Sequence, residues 1–120
     1  MKPETKFWHK VRDSMPEISF TRIENMSAQG TPDLLCYNKK HTFFTCELKV
    51  TKTNLVRFSP HQISFHVRHP HNTFILVSSD LYKDEKLYEG SRIQQLVACG
   101  LRLEACRSGL DLIYNYFKRL

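Results

Sequence analysis

Three charged residues stand at the ends of two apolar segments in the region 30–50, GTPDLLCYNKKHTFFTCELKV. Asp33 begins the first segment, and Glu47 and Lys49 close the second. Charged side chains usually avoid such places, because removing them from water is costly unless they are paired or bind a metal. Two carboxylates and an ammonium are the groups that a cation-assisted hydrolysis needs, so these residue types indicate a chemical role.

The two segments should bring these three residues together as a β-hairpin. Both are rich in β-forming residues, and the short polar stretch 38–40 between them suits a tight turn. Residues i and i+2 lie on the same face of a strand, so Glu47 and Lys49 should project together. Asp33 lies six residues before the middle of the turn and Glu47 eight after it, so antiparallel pairing would place them at one end of the sheet.

Two adjacent carboxylates repel each other, and a divalent cation would supply the missing positive charge. Mg²⁺, or Mn²⁺ in its place, prefers oxygen ligands. We therefore expect Asp33 and Glu47 to be metal ligands, with the backbone carbonyl of Leu48 adding a third oxygen. Lys49 would then orient the attacking water or stabilise the charge that builds on a phosphate.

Basic residues are concentrated around the same stretch. The formal net charge of the chain is +6, and residues 37–68 hold six lysines and arginines against a single acid. A local basic patch suits a polyanion such as nucleic acid, although a merely solvated face is the alternative interpretation. We expect Lys52, Arg57 and Arg68 to contact a phosphate backbone.

The segment 59–70 predicts a helix that follows the basic patch. Ser59 suits the N-cap and Pro60 the first helical position, and a second proline ends the segment. Gln62, His66 and His69 recur at i, i+4 and i+7, so they should form one polar face. For contacts to phosphate or sugar we expect the side chains of Ser59, His61 and His66.

The remaining pattern predicts a single α/β domain over residues 1–120, with a mixed central β-sheet flanked by helices. Helices are predicted over 3–14, 91–100 and 110–120, and strands over 18–24 and 73–79, with an ambiguous strand at 101–106. No segment is long and apolar enough to span a membrane, and the N-terminus lacks an apolar signal core. We therefore expect an intracellular, cytoplasmic protein that does not act at a membrane.

The motifs resemble the signature of the PD-(D/E)xK nuclease superfamily, which here reads Pro32-Asp33 and Glu47-Leu48-Lys49. Residues 30–34 resemble the start of the VRR-Nuc branch and of related phage and Holliday-junction-resolvase-like nucleases. Residues 59–62 resemble the SPxQ segment of those proteins, and residues 22–25 their upstream R-x-E acid. The resemblance covers residues 20–79, and one departure is the segment 50–58, which lacks the glycine-rich hairpin of many relatives.

The resemblance implies a restriction-endonuclease-like fold and a Mg²⁺- or Mn²⁺-dependent endonuclease. Asp33 and Glu47 would bind the metal, Lys49 would be the catalytic lysine, and Gln62 would contact the active site or the scissile phosphate. Glu24 would be the additional upstream acid near the metal, with Glu17 or Glu4 as substitutes.

The resemblance also bears on substrate, assembly and source. DNA is expected rather than RNA, with branched or structured DNA favoured. It is consistent with a homodimer and with a phage protein that acts in the host cell cytoplasm. A catalytically silent nucleic-acid-binding module with a retained nuclease fold is the alternative, and a protein-interaction domain is a second one.

Overall fold

A six-stranded mixed sheet with four helices forms the single α/β domain seen in the computed structural model, which describes residues 1–23 and 30–120. The strands are β1 (Ser19–Arg22), β2 (Leu34–Tyr37), β3 (Phe43–Thr51), β4 (Thr73–Ser79), β5 (Asp84–Glu89) and β6 (Arg107–Ser108). The helices are α1 (Pro3–Ser14), α2 (Pro60–Arg68), α3 (Ile93–Cys99) and α4 (Leu110–Arg119), and short 3-10 turns flank α3.

The strands lie in the sheet in the order in which they occur along the chain. β3 and β4 are parallel, and every other neighbouring pair is antiparallel. A parallel pair needs a crossover connection, and α2 provides it. The N-terminal half of α2 therefore lies on the face of β3 from which Glu47 and Lys49 project.

Hydrophobic cores lie on both faces of the sheet, because alternate residues of β4 point in opposite directions. Phe74 and Leu76 belong to a cluster that includes residues of α1 and α4. Ile75 and Val77 belong to a second cluster that includes residues of α3 and packs against Ile63 of α2. The predicted mixed sheet with helices on both sides is confirmed.

One predicted element is absent, and one observed strand was not predicted. The helix over 3–14, the buried strand over 73–79 and the final helix are confirmed. The strand predicted at 101–106 is wrong, since a 3-10 turn opens that segment and the short strand β6 follows it at Arg107–Ser108. The sequence did not predict β5. None of the helices in the described ranges is long and apolar enough to cross a membrane.

Candidate active site

The β2–β3 hairpin brings Asp33 and Glu47 together, as the spacing predicts. Leu34 pairs with Cys46 in the antiparallel register, so Asp33 and Glu47 lie opposite each other one position beyond. The Oδ2 atom of Asp33 accepts a hydrogen bond of 2.8 Å from the backbone N–H of Leu48. This bond fixes the carboxylate of Asp33 at the end of the β2–β3 ladder.

Strand geometry directs the carbonyl of Leu48 to the side of β3 on which Asp33 lies. The N–H and C=O of one strand residue point to the same side of the strand, and the Leu48 N–H points towards Asp33. The last residue of β2 that pairs with β3 is Leu34, so the Leu48 carbonyl lies beyond the paired residues of β2. The Leu48 carbonyl as a third metal ligand stays a prediction.

Glu47 is almost completely buried, with 2% of its surface exposed. Its Oε2 atom accepts a 3.3 Å hydrogen bond from the side-chain amide of Gln62. Its Oε1 atom has no donor among the described residues. A buried oxygen without a donor is destabilising by roughly 1–3 kcal/mol, so this atom is placed where a cation or another donor would stabilise it.

Burial raises the pKa of Glu47 well above its ordinary value, and the neighbouring Asp33 raises it further. Two carboxylates are both acceptors, so they can share a hydrogen bond only when one of them holds a proton. Lys49 acts in the opposite direction and favours the ionised form. Without a cation, the pair of carboxyl groups therefore tends to keep a proton, and a bound cation would favour the ionised form instead.

Gln62 connects Glu47 to Lys49. Its backbone N–H donates to the Ser59 side chain, and its own side-chain Oε1 accepts from the Ser59 N–H, which together form a capping box. The same Oε1 accepts a 3.1 Å hydrogen bond from the Lys49 ammonium. Because the cap engages the oxygen, the amide nitrogen is left to face Glu47.

Lys49 lies on the same face of β3 as Glu47, as strand alternation predicts. Its ammonium lies 4.9 Å from the centre of the Phe58 ring, in addition to its bond to Gln62. A cation over an aromatic face is attracted to it, so the long side chain is held in one orientation. The ammonium is thus held between Gln62 and Phe58, close enough for its charge to lower the pKa of Glu47.

Gly30 fixes the approach of α2 to the hairpin. It has a φ of +82°, and a Cβ atom there would overlap the backbone carbonyl of His61. Only glycine combines this conformation with so close a contact. The first turn of α2 is thereby packed directly on the loop that leads into Asp33.

Glu4 in the first turn of α1 is a further acid at this site. Burial raises its pKa and the charge of Asp33 raises it further, whereas Lys49 and Arg22 lower it. Of the two substitutes for the upstream acid, Glu4 lies near the site and Glu17 does not. Glu17 instead contacts Tyr114 and Lys118 of α4. The predicted acid Glu24 lies outside the described residues.

The described residues fit a hard divalent cation in part. Asp33, Glu47 and the Leu48 carbonyl offer oxygen atoms, and the Glu47 Oε1 atom lacks a donor. The described part of the chain contains no group of three or more histidine, cysteine, aspartate or glutamate side chains that could hold a metal. Water and a substrate phosphate would therefore have to complete the coordination.

Two of the residues predicted to bind nucleic acid lie beside Lys49. Lys52 and Arg57 are exposed, and both line a groove of about 630 Å³ that Lys49 also lines. His61 is exposed on the first turn of α2. The Ser59 hydroxyl is engaged as the N-cap, so its clearest role is in holding α2 rather than a phosphate.

The prediction for His66 requires correction, whereas the one for Arg68 stays a prediction. His66 is completely buried and lies against Gly90, so its predicted contact with nucleic acid is wrong. Arg68 is exposed but bonds to the Ser64 carbonyl of its own helix. A helix rises about 1.5 Å per residue, so Arg68 lies about 9 Å along the axis from Gln62 and away from the site.

A comparison with protein-family models and with curated proteins finds no match for this chain.

Proposed function

We propose that this protein is a divalent-cation-dependent nuclease of the PD-(D/E)xK type with a restriction-endonuclease-like fold. The observation that carries the proposal is the convergence of Asp33, Glu47 and Lys49 at one end of the hairpin, with Gln62 linking two of them. The antiparallel hairpin, the crossover helix and the parallel strand β4 support the fold assignment.

Each side chain of this site would have its own role in phosphodiester hydrolysis. Asp33, Glu47 and the Leu48 carbonyl would hold Mg²⁺ or Mn²⁺, with Glu4 as the further acid. The cation, when bound, supplies positive charge that polarises the phosphate and makes water a better nucleophile. The Lys49 ammonium would orient the attacking water and stabilise negative charge on the phosphate oxygens.

DNA is the proposed substrate, in branched or structured form. The groove beside the site is lined by Lys2, Lys49, Lys52 and Arg57, which suit the phosphates of a strand that enters the site. Each chain would hold one site. Cutting both strands of a junction would therefore require a homodimer, and the products would carry 5′-phosphate and 3′-hydroxyl ends.

The proposal is tested with labelled linear, single-stranded, flap and four-way DNA, incubated with Mg²⁺, Mn²⁺ or EDTA. We expect cleavage with either cation and none in EDTA. Asp33→Asn and Lys49→Ala should each lower the rate at least about a hundredfold, since each removes a charge that acts in the transition state. Glu17→Gln, an exposed acid outside the site, is the matched control.

Two results would contradict the proposal. Cleavage that persists in EDTA, or that the Lys49→Ala protein performs at the wild-type rate, would exclude this mechanism. DNA binding that is steeply salt-dependent, without cleavage of any substrate, would favour the silent binding module instead.

A further inference from the structure

The segment between β3 and α2 forms a ridge between two grooves, and Leu55 lies on it. The first groove is the one that contains Lys49, Lys52 and Arg57. The second has a volume of about 770 Å³ and is lined on its far side by residues of α3 and by Arg102. Thr53 and Leu55 line both grooves, so this part of the segment is the wall between them.

The ridge is braced by hydrogen bonds. The Thr51 hydroxyl donates to the Leu55 carbonyl at 2.7 Å, and the Leu55 N–H donates to the Thr53 hydroxyl at 3.2 Å. Asn54 is tied to the end of α3, because its carbonyl accepts from the Leu101 N–H at 2.8 Å. Gly100 has a φ of +64°, and a Cβ atom there would overlap the Asn54 carbonyl.

The Leu55 side chain is 53% exposed although its backbone is held firmly. An exposed leucine alone needs no explanation, since much of any protein surface is apolar. Here, however, the leucine lies on a braced ridge with basic residues on both sides. Lys52 and Arg57 lie in the first groove, which therefore favours phosphates. Arg102 lies in the second groove together with Glu104, so that groove offers a single basic side chain beside an acid.

We propose that Leu55 is an apolar wedge that separates the two strands of DNA at a branch point. The scissile strand would enter the first groove towards Lys49, and the other strand would pass into the second groove beside Arg102. This inference rests on the nuclease proposed above, and it names the residue that would select branched over continuous duplex DNA.

The physical basis is the exchange of base stacking for contact with the leucine. Apolar side chains inserted between base steps unstack them at a cost of a few kcal/mol, which additional protein contacts offset. A branch point lowers that cost, because its bases are already incompletely stacked. Both grooves fall within the size range of about 300–1,000 Å³ that suits small-molecule ligands, so each is large enough for a nucleotide unit.

The first experiment compares two forked DNAs that differ only at the branch point, where one is fully paired and the other carries a few mismatches. Leu55→Ala should lower cleavage of the paired fork about tenfold, and the mismatched fork should recover most of that loss, since its strands are already apart. Leu112→Ala is the matched control, because Leu112 is a leucine of α4 with 57% exposure that lines neither groove. Equal losses on both forks, or no loss, would overturn the wedge.

The second experiment does not depend on cleavage. A fork with 2-aminopurine at the branch point is bound by the Glu47→Gln protein, and we expect its fluorescence to rise as the base unstacks. The Glu47→Gln, Leu55→Ala protein should bind without that rise. An equal rise in both proteins, or no rise at saturation, overturns the wedge alone.

The two experiments separate the failure of the wedge from the failure of the nuclease. A wild-type protein that cleaves neither fork but still shows the Leu55-dependent rise would overturn the nuclease and leave the wedge standing. If the protein bound no DNA at all, both proposals would be overturned.

Discussion

At the scale of single residues, the site is defined by how Gln62 is oriented. An amide side chain can present either its oxygen or its nitrogen to a neighbour, and the wrong orientation would face an acceptor with an acceptor. The Ser59 N–H and the Lys49 ammonium both engage the oxygen, so the nitrogen donates to Glu47. The cap of α2 therefore determines that Gln62 donates a hydrogen bond to the buried Glu47 rather than facing it with an acceptor.

Replacing Gln62 by glutamate separates its two roles. Gln62→Glu keeps acceptors for the Ser59 N–H and for Lys49 but faces Glu47 with a third carboxylate. We expect the free energy of unfolding to fall by about 1–3 kcal/mol, since the cap is kept but the buried Oε2 atom of Glu47 loses its donor, and cleavage to fall about tenfold or more. Thermal unfolding and initial rates measure the two effects.

The control for charge is Gln94→Glu, which makes the same change at an exposed position of α3. We expect it to leave the cleavage rate within about twofold of the wild type, since surface changes away from a site act weakly. Wild-type cleavage by Gln62→Glu would show that the amide does not position the site.

At the scale of elements, two helices complete a site that begins in a hairpin. α2 crosses from β3 to β4 and delivers Gln62, whereas α1 delivers Glu4. The hairpin part could be predicted from the sequence, because strand alternation and a short turn specify which residues meet. The choice of Glu4 over Glu17 could not, since it depends on how α1 packs against the sheet.

Glu4 and Glu17 provide a matched pair of substitutions. Glu4→Gln should lower cleavage about tenfold, because it removes a negative charge that lies near Asp33 and Lys49. Glu17→Gln should leave the rate unchanged, since this acid contacts α4 instead. Initial rates at saturating Mg²⁺ measure both, and equal rates for the two variants would exclude Glu4 from the site.

His66 makes the stability of α2 depend on pH. Burial lowers the pKa of His66, and the nearby charges of His69 and Lys49 lower it further, while its bond to the Gln62 carbonyl acts in the opposite direction. The unfolded chain therefore binds the proton more readily than the native state. The contribution of His66 is present above the ordinary pKa of 6.5 and is lost as the pH falls below it.

We expect the free energy of unfolding to fall between pH 7 and pH 5 with a contribution from His66 of up to about 1.4 kcal/mol per pH unit. His66→Gln should flatten this slope, whereas His71→Gln, at an exposed histidine, should not. Urea unfolding at several pH values measures the slopes. If the free energy of unfolding depended on pH with equal slopes in wild type and His66→Gln, His66 would not be buried in its neutral form.

One strand and one helix face differ from what the sequence predicts. β5 carries Asp84, Glu85 and Lys86, which are weak strand formers, so the pattern did not indicate a strand. Its pairing with β4 and the ion pair between Lys10 and Glu85 stabilise it in the fold. The polar face predicted for α2 failed at His66 because the helix turns that side chain towards Gly90.

At the scale of the whole molecule, part of the positive charge behind the formal net charge of +6 lines one groove beside the candidate site. The carboxylates lie at the end of the hairpin, and exposed Lys52 and Arg57 line the groove beside Lys49. Such a groove attracts a phosphate backbone by counterion release, which weakens as salt rises.

Lys52→Ala should lower DNA affinity and reduce the slope of log K against log salt concentration by about one, since one phosphate contact is lost. Lys39→Ala removes the same charge at the exposed tip of the hairpin and should leave that slope unchanged. Fluorescence anisotropy over a range of salt concentrations measures both. Equal slopes for the two variants would show that the groove does not contact DNA.

Diffraction near the manganese absorption edge from a crystal of this protein soaked in Mn²⁺ tests the proposed metal site directly. We expect an anomalous peak between the carboxylates of Asp33 and Glu47, beside the Leu48 carbonyl, which disappears in Asp33→Asn. A well-ordered site without a peak, or a peak that binds elsewhere and survives Asp33→Asn, would contradict the proposed metal site.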